Sequence, residues 1–136
     1  MTPTEFMREY LRLGRTRDIE ALLALIDDDA VFLFSNQSSH FGKDAIRNAI
    51  RANFDAIQNE DYGISDLKWL VSSDEVAVCA YEFGWVGEID GAPASGGGRG
   101  TTAIRRAADA GRVPWRVVHE HLSRGRLRTT SSAGET

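Results

Sequence analysis

Apolar positions recur along this chain with two different periods, and the change of period divides it. Phe6, Tyr10 and Leu13 stand at helical spacing, with Met7 and Leu11 widening the stripe, which predicts a helix over residues 4–13 closed by Gly14. Asp18 is placed to cap a second, short helix whose buried stripe is Ile19, Leu22, Leu23 and Ile26. The run Asp27-Asp28-Asp29 stops that helix, because carboxylates at a C-terminus oppose the macrodipole. Ala30 to Ser35, with Val31-Phe32-Leu33-Phe34, reads as a short strand buried on both faces. After a polar loop from Asn36 to His40 comes the longest helix, residues 42–58. It carries Ile46, Ala49, Ile50, Phe54 and Ile57 on one side and Lys43, Arg47 and Arg51 on the other.

From Tyr62 onward the period is two. Tyr62 to Ser72 alternates Ile64, Leu67, Trp69 and Val71 with polar positions, Ser73-Asp74 turns the chain, and Glu75 to Glu88 carries Val76, Val78, Tyr81, Phe83 and Trp85. Asp90 to Gly98 reads as a flexible loop from its glycine and proline content. Gly100 to Ala107 and Trp115 to Ser123 form a last hairpin about Asp109 and Gly111. Helices first and antiparallel strands after predict an α+β fold: a curved antiparallel sheet wrapped by three N-terminal helices into a cone with an apolar interior. Residues 1–124 are expected to form its single domain and residues 125–136 a flexible tail.

Composition narrows the function classes. With 136 residues, 42% of them hydrophobic and 26% charged, the chain is an ordinary globular domain. Its one cysteine, Cys79, allows neither a disulfide framework nor a cysteine zinc cluster, and its place within a strand suggests a buried, inert thiol. No apolar run approaches the roughly 18 residues of a membrane span. Glu5, Arg8 and Glu9 interrupt the start as no signal peptide does, so a cytoplasmic protein with no membrane partner is expected. Residues 1–98 hold 17 acids and 8 bases, whereas residues 99–136 hold 3 acids and 8 bases. The arginines of that basic end are spread over two strands and a Ser/Thr/Gly-rich stretch with Arg124, Arg126 and Arg128, which predicts no nucleic-acid partner. Gly96-Gly97-Gly98-Arg99-Gly100 precedes a strand rather than a helix and is no phosphate loop; no cofactor is expected.

The order helix–helix–strand–helix–meander carries two further marks, Gly42-Lys43-Asp44-Ala45-Ile46 and the ending Trp115-Arg116-Val117-Val118-His119-Glu120-His121-Leu122-Ser123. Together they resemble the nuclear transport factor 2-like superfamily, and within it a SnoaL-like domain, over about residues 4–124. Polyketide cyclases and ketosteroid isomerases are relatives. The ending is also similar to that of the association domain of calcium/calmodulin-dependent protein kinases. In the isomerase resemblance Tyr10 falls at the oxyanion-hole tyrosine, Thr102 at the protonated aspartate and Phe34 at the general-base aspartate. A phenyl ring abstracts no proton, so the resemblance does not imply steroid isomerisation. In the kinase resemblance the pocket arginines fall on Phe83, Thr102 and Leu122, so that anion site is not carried over. Both comparisons turn Thr102 into the cone, and alternation then turns Ile104 there too.

If Trp115 pairs near Ala107, Thr102 lies opposite Glu120 and Ala103 opposite His119. Glu120 then points inward with Val118 and Leu122. A carboxylate among apolar neighbours has a raised pKa and serves as an acid or base; the alternative is a structural ion pair with Arg106 or Arg116. Tyr10 and Thr102 are candidate donors to a developing oxyanion. Phe34, Phe83 and Leu122 are candidate walls, together with Trp69, Trp85 and Tyr81, unless these aromatics are simply core. His119 and His121 share a face and could hold zinc with His40 as the one remaining imidazole, but the register turns them away from the cavity, so no metal is expected. That outer face, with Trp115, Val117, His119 and His121, predicts a homodimer, which the resemblance also implies. The functional expectation is a pocket for a hydrophobic, oxygenated small molecule. A cofactor-free cyclase, isomerase or dehydratase using Glu120, or a non-catalytic oligomerisation domain, are its alternatives.

Overall fold

A computed structural model describes residues 1–108 and 111–125. Asp109 and most of the expected tail, with Arg126 and Arg128, lie outside the described residues. Three helices precede most of the sheet: α1 (Pro3–Thr16), α2 (Ile19–Leu23) and α3 (Lys43–Ala56). Six strands, β1 (Ile26–Leu33), β2 (Ser39–Phe41), β3 (Gln58–Ser72), β4 (Val76–Ile89), β5 (Ala92–Arg106) and β6 (Trp115–Arg124), form one sheet in the order β2-β1-β6-β5-β4-β3. The pairs are antiparallel except β1 with β6, which are parallel. The fold is α+β with the helices on the concave side, as the pattern predicts. No described helix is long and apolar enough to cross a membrane.

Local chemistry sets the helix ends. Thr2 caps α1 in a capping box with Glu5, satisfying two backbone N–H groups that would otherwise lack partners. Gly14 does not close α1; the helix runs to Thr16 and stops where Arg17 adopts a left-handed conformation, φ 60°. The Arg17 guanidinium then donates to the Phe54 and Ile57 carbonyls at 2.7 Å each, tying the end of α1 to the end of α3. Asp18 caps α2 through the Ala21 N–H as expected. Ile26 and the three aspartates belong to β1 rather than to the close of α2, because Ile26 pairs with Val117 and the Leu25 carbonyl accepts from the Val117 N–H. Ser39 and His40, expected in a loop, instead pair with β1 together with Phe41 as a short edge strand.

Two features of the last strands depart from the expected pattern. Residues 92–98 are not a loop: the turn is only Asp90-Gly91, and β5 continues unbroken past its glycines. Gly96, Gly98 and Gly100 are spaced by two, and a Cβ at each would collide. At Gly96 it would meet the Trp85 indole at 2.6 Å, at Gly98 the Ser123 carbonyl at 1.9 Å, and at Gly100 the Tyr81 ring at 2.4 Å. The glycines make room on one face for their neighbours' aromatic rings and for the close approach of β6. The second feature is a bulge. Thr102 pairs with Glu120 and Ala103 with His119, as expected, but Ile104 pairs with Val117, leaving Val118 as an extra residue on β6. The bulge reverses the alternation below it, so Trp115 sits opposite Arg106 instead of Ala107.

That reversal corrects the expected outer face. Trp115 and Val117 are 1% and 0% exposed and belong to the core with Phe6, Phe32, Ile46 and Ile104. The Trp115 indole N–H donates to the Met1 carbonyl, and the Arg106 guanidinium lies 4.5 Å over its ring. Only His119 and His121 of that set remain on the outside, where cross-strand pairing runs through Phe41, Val31, His119, Ala103, Val78 and Val71.

Candidate functional site

One inward-facing row of the sheet carries the polar chemistry. Cross-strand pairing aligns Phe32, Glu120, Thr102, Cys79 and Trp69 on successive strands. Thr102 and Glu120 are the two buried polar side chains of the described core, 0% and 8% exposed. The Tyr10 hydroxyl reaches across from α1 and donates to Glu120 Oε1 at 3.0 Å. The Thr102 hydroxyl donates to the same oxygen at 3.3 Å, and the Tyr81 hydroxyl lies 2.8 Å from Thr102 Oγ1. With the threonine proton committed to Glu120, Tyr81 is the donor of that outer link. Tyr81 reaches Thr102 because Gly100, its direct cross-strand partner, presents no side chain under its ring.

Tyr10, Thr102 and Glu120, three residues from opposite ends of the chain, therefore meet in one hydrogen-bonded cluster. The ion-pair alternative for Glu120 does not hold: Arg106 donates to the Asp74 carbonyl and stacks on Trp115, while Arg116 donates to the Val113 and Trp115 carbonyls. Burial pushes the Glu120 carboxyl up to about 7, against the lowering effect of the Tyr10 and Thr102 hydrogen bonds. Burial also drives the Tyr10 hydroxyl well above its usual range, and the neighbouring Glu120 charge adds to it. Tyr81 and Tyr62 are raised by burial in the same way, and all three tyrosines stay neutral donors. Cys79, in the same row, is pushed up to about 11 by burial and is an inert thiol, as expected.

Above this cluster lies a cavity of about 160 Å³. Tyr10, Tyr81 and Glu120 stand at its floor; Phe34, Phe54, Tyr62, Ile64 and Leu122 are among its apolar walls; Arg15, Asn53 and Glu60 bring polar groups to its edge. Both hydrogen bonds of Glu120 fall on Oε1. No buried side-chain oxygen among the described residues lacks a partner, so Oε2 is open to the cavity.

Of the expected walls, Phe34, Tyr81 and Leu122 line this space. Phe83 lies behind the wall, stacked on Tyr62 at 6.0 Å. Trp69 donates from its indole to Thr4 Oγ1 at 3.0 Å, and Trp85 covers Gly96; neither lines the cavity. Ile104 is core below the bulge, and Val118 is the bulged residue itself. Thr102 sits behind Glu120, where it supports the carboxylate rather than facing the cavity. Tyr62, Phe54 and Ile64 were missed as wall residues although each lies on an apolar stripe that the periodicity marks as inward. Arg15 and Glu60 carried no such signal.

The histidines lie elsewhere. His119 Nδ1 is 2.7 Å from the Val31 carbonyl, and His121 is exposed beside it. His40 is packed against Phe34 and bonded to Ser38 Oγ at 2.8 Å. Among the described residues no group of three or more His, Cys, Asp or Glu side chains converges as a metal site.

Comparison with solved structures returns the same architecture. A nuclear transport factor 2-like superfamily protein from Salmonella enterica superposes with a TM-score of 0.77 at 17% identity, covering 96% of this chain and 93% of that one. A ketosteroid isomerase-like protein from Erwinia carotovora gives 0.75 at 17% identity, covering 91% and 94%. A protein with a cystatin-like fold from Novosphingobium aromaticivorans gives 0.70 at 19% identity, covering 96% and 82%. At these identities the likeness concerns the fold. No curated protein matches the chain. The sequence profile of the SnoaL-like domain, however, matches residues 4–126, which takes in both Tyr10 at one end of the hydrogen-bonded cluster and Glu120 at the other. The chain belongs to the SnoaL-like domain family.

Proposed function

We propose that this SnoaL-like domain is a small-molecule pocket protein that transfers protons, with Glu120 as general acid–base toward an apolar, oxygenated ligand. The observation that carries this reading is the state of one carboxylate. Glu120 is buried, titrates at about 7, is held from behind at Oε1 and presents Oε2 to an apolar cavity. A base poised near neutral pH gives both a useful population of the ionised form and an appreciable driving force for proton transfer. In the forward step a C–H bond next to a ligand carbonyl breaks and an O–H bond forms at Oε2. The electron pair moves to the ligand oxygen, and the Tyr10 hydroxyl, at the same floor, turns from Oε1 to donate to it. Return of the proton to another carbon, or to a departing hydroxyl, completes an isomerisation or a dehydration with no oxidant or reductant.

Deuterium exchange tests this directly. Cyclohex-2-enone in D₂O at pH 7, followed by proton NMR, should exchange its acidic C–H positions faster with the protein than in buffer. Glu120→Gln should lower that catalysed rate by about 10²- to 10⁴-fold, the usual contribution of a positioned acid–base group. Exchange at the buffer rate, or at an equal rate in both proteins, refutes the proposal.

We also propose that two copies pair through the outer sheet face. Phe41 and Val71, at opposite ends of the row that runs through Val31, His119, Ala103 and Val78, are 69% and 50% exposed. Light scattering should give twice the chain mass of 15.0 kDa at micromolar concentration, and Val71→Lys should shift it toward the single chain. A wild-type mass near that of one chain overturns this.

A further inference from the structure

We infer that the ligand is a single-ring acid, bound with a carbonyl or hydroxyl at Glu120 and a carboxylate at Arg15. The inference rests on the proposal that Glu120 meets the ligand, and adds the ligand's size, orientation and charge.

Size comes from the cavity. An apolar cavity of about 150 Å³ holds one benzene, and the space here is about 160 Å³. The part of a ligand inside the cavity is therefore one six-membered ring, flanked by the rings of Phe34, Phe54 and Tyr62; a fused bicyclic or steroid skeleton would extend past the mouth where Arg15 stands.

Orientation and charge come from the two ends. The floor offers hydrogen-bonding groups, Oε2 and the Tyr10 hydroxyl, in a setting that already disfavours the Glu120 anion. A second carboxylate placed there would meet a like charge without water, so an anionic substituent belongs at the mouth. Of the charged groups at the mouth, Glu60 is already bonded to Arg17 Nη2 at 3.2 Å. Arg15 is different. Its Nε donates to the Tyr62 carbonyl at 3.0 Å, which fixes the guanidinium beside the cavity, and its Nη2 lies across Gly63. Arg15 is in none of the ion pairs among the described residues. A guanidinium anchored by one nitrogen, with no partner for its other two nitrogens among the described residues, matches a carboxylate in geometry as well as charge.

Isothermal titration at pH 7 and low salt, with 4-hydroxybenzoate, 3-(4-hydroxyphenyl)propanoate, phenol and 6-hydroxy-2-naphthoate, tests each element. The better of the two single-ring acids should bind at least about 10-fold more tightly than phenol, as a charge-assisted hydrogen bond implies. Arg15→Gln should erase that preference, phenol and the single-ring acids then binding alike in the variant, and the two-ring naphthoate should bind the wild type at least 10-fold more weakly than the better acid. Equal binding of phenol and both acids, a preference that survives Arg15→Gln, naphthoate binding as tight as the single-ring acids, or no binding by any of the four overturns the inference. The two proposals fail separately. Loss of the acid preference with Glu120-dependent deuterium exchange intact removes only the ligand class. Arg15-dependent acid binding without exchange removes only the proton-transfer chemistry.

Discussion

Replacing Glu120 with glutamine keeps the shape of the side chain and an oxygen to accept from Tyr10 and Thr102, and removes only the ionisation. The folded carboxyl titrates at about 7 against an ordinary value of 4.5, so between these values the folded chain holds a proton that the unfolded chain has released. Stability then falls as pH rises through this window, because the unfolded state binds fewer protons than the folded one. With each pKa unit worth a little over ~1 kcal/mol, the group costs about 1 kcal/mol at pH 5 and about 3 kcal/mol at pH 8 relative to strongly acid solution. The difference, on the order of 2 kcal/mol, is what Glu120 should withdraw from the wild type between pH 5 and pH 8. Urea unfolding of wild type and Glu120→Gln at both pH values isolates it, since every other titrating group cancels in the subtraction. The glutamine variant should gain on the wild type by on the order of 2 kcal/mol over that interval. A stability difference that stays constant with pH refutes the picture of a buried, proton-holding carboxylate.

Tyr10→Phe removes the nearer donor to Oε1, and since that hydrogen bond favours the anion, the Glu120 titration followed by carboxyl carbon NMR should move above its present position near 7. An unchanged or lowered value contradicts the geometry. Gly100→Ala places a methyl 2.4 Å from the Tyr81 ring and should cost about 1–3 kcal/mol in urea unfolding. The cost should shrink when Tyr81→Ala is made in the same chain, and strictly additive losses show that the two positions do not compete for space.

The elements of the fold were legible because each is carried by many residues at once. Phe6, Met7 and Tyr10 on one stripe, or Tyr81 and Phe83 on one face of a long strand, fix a period whatever the fate of any single side chain. The pairing of Thr102 with Glu120 was legible for the same reason, since it lies above the bulge where alternation runs undisturbed. Below it one inserted residue inverts every face, and the expected outer patch of Trp115 and Val117 became core. The signal was present: Val117-Val118 sets two apolar residues side by side, and beyond it the companions of Trp115 change from apolar to histidine. The glycines of β5 misled differently. Their propensity argues for a loop, and only the spacing 96, 98, 100, matched to aromatic residues on the neighbouring strand, marks a strand that has given up side chains to its partners. Arg15 was beyond reach, because a lone arginine at a helix end has no distinguishing pattern until the carbonyl of Tyr62 is found beside it.

The place of β6 between β1 and β5 has a consequence for how this chain reaches its native state. The strand latest in chain order is inserted in the middle of the sheet, and the contacts it completes span most of the chain: Tyr10 to Glu120 bridges 110 positions and Met1 to Trp115 bridges 114. Closing loops of that length before any contact compensates them puts the chain among slowly folding topologies. Until residues 115–124 dock, α1 has no floor to cover and Glu120 remains in water as an ordinary carboxylate. Between about pH 5 and pH 7 the docking of β6 therefore draws a proton from solution, and the rate-limiting step of folding should itself be faster in mildly acid buffer than in neutral buffer.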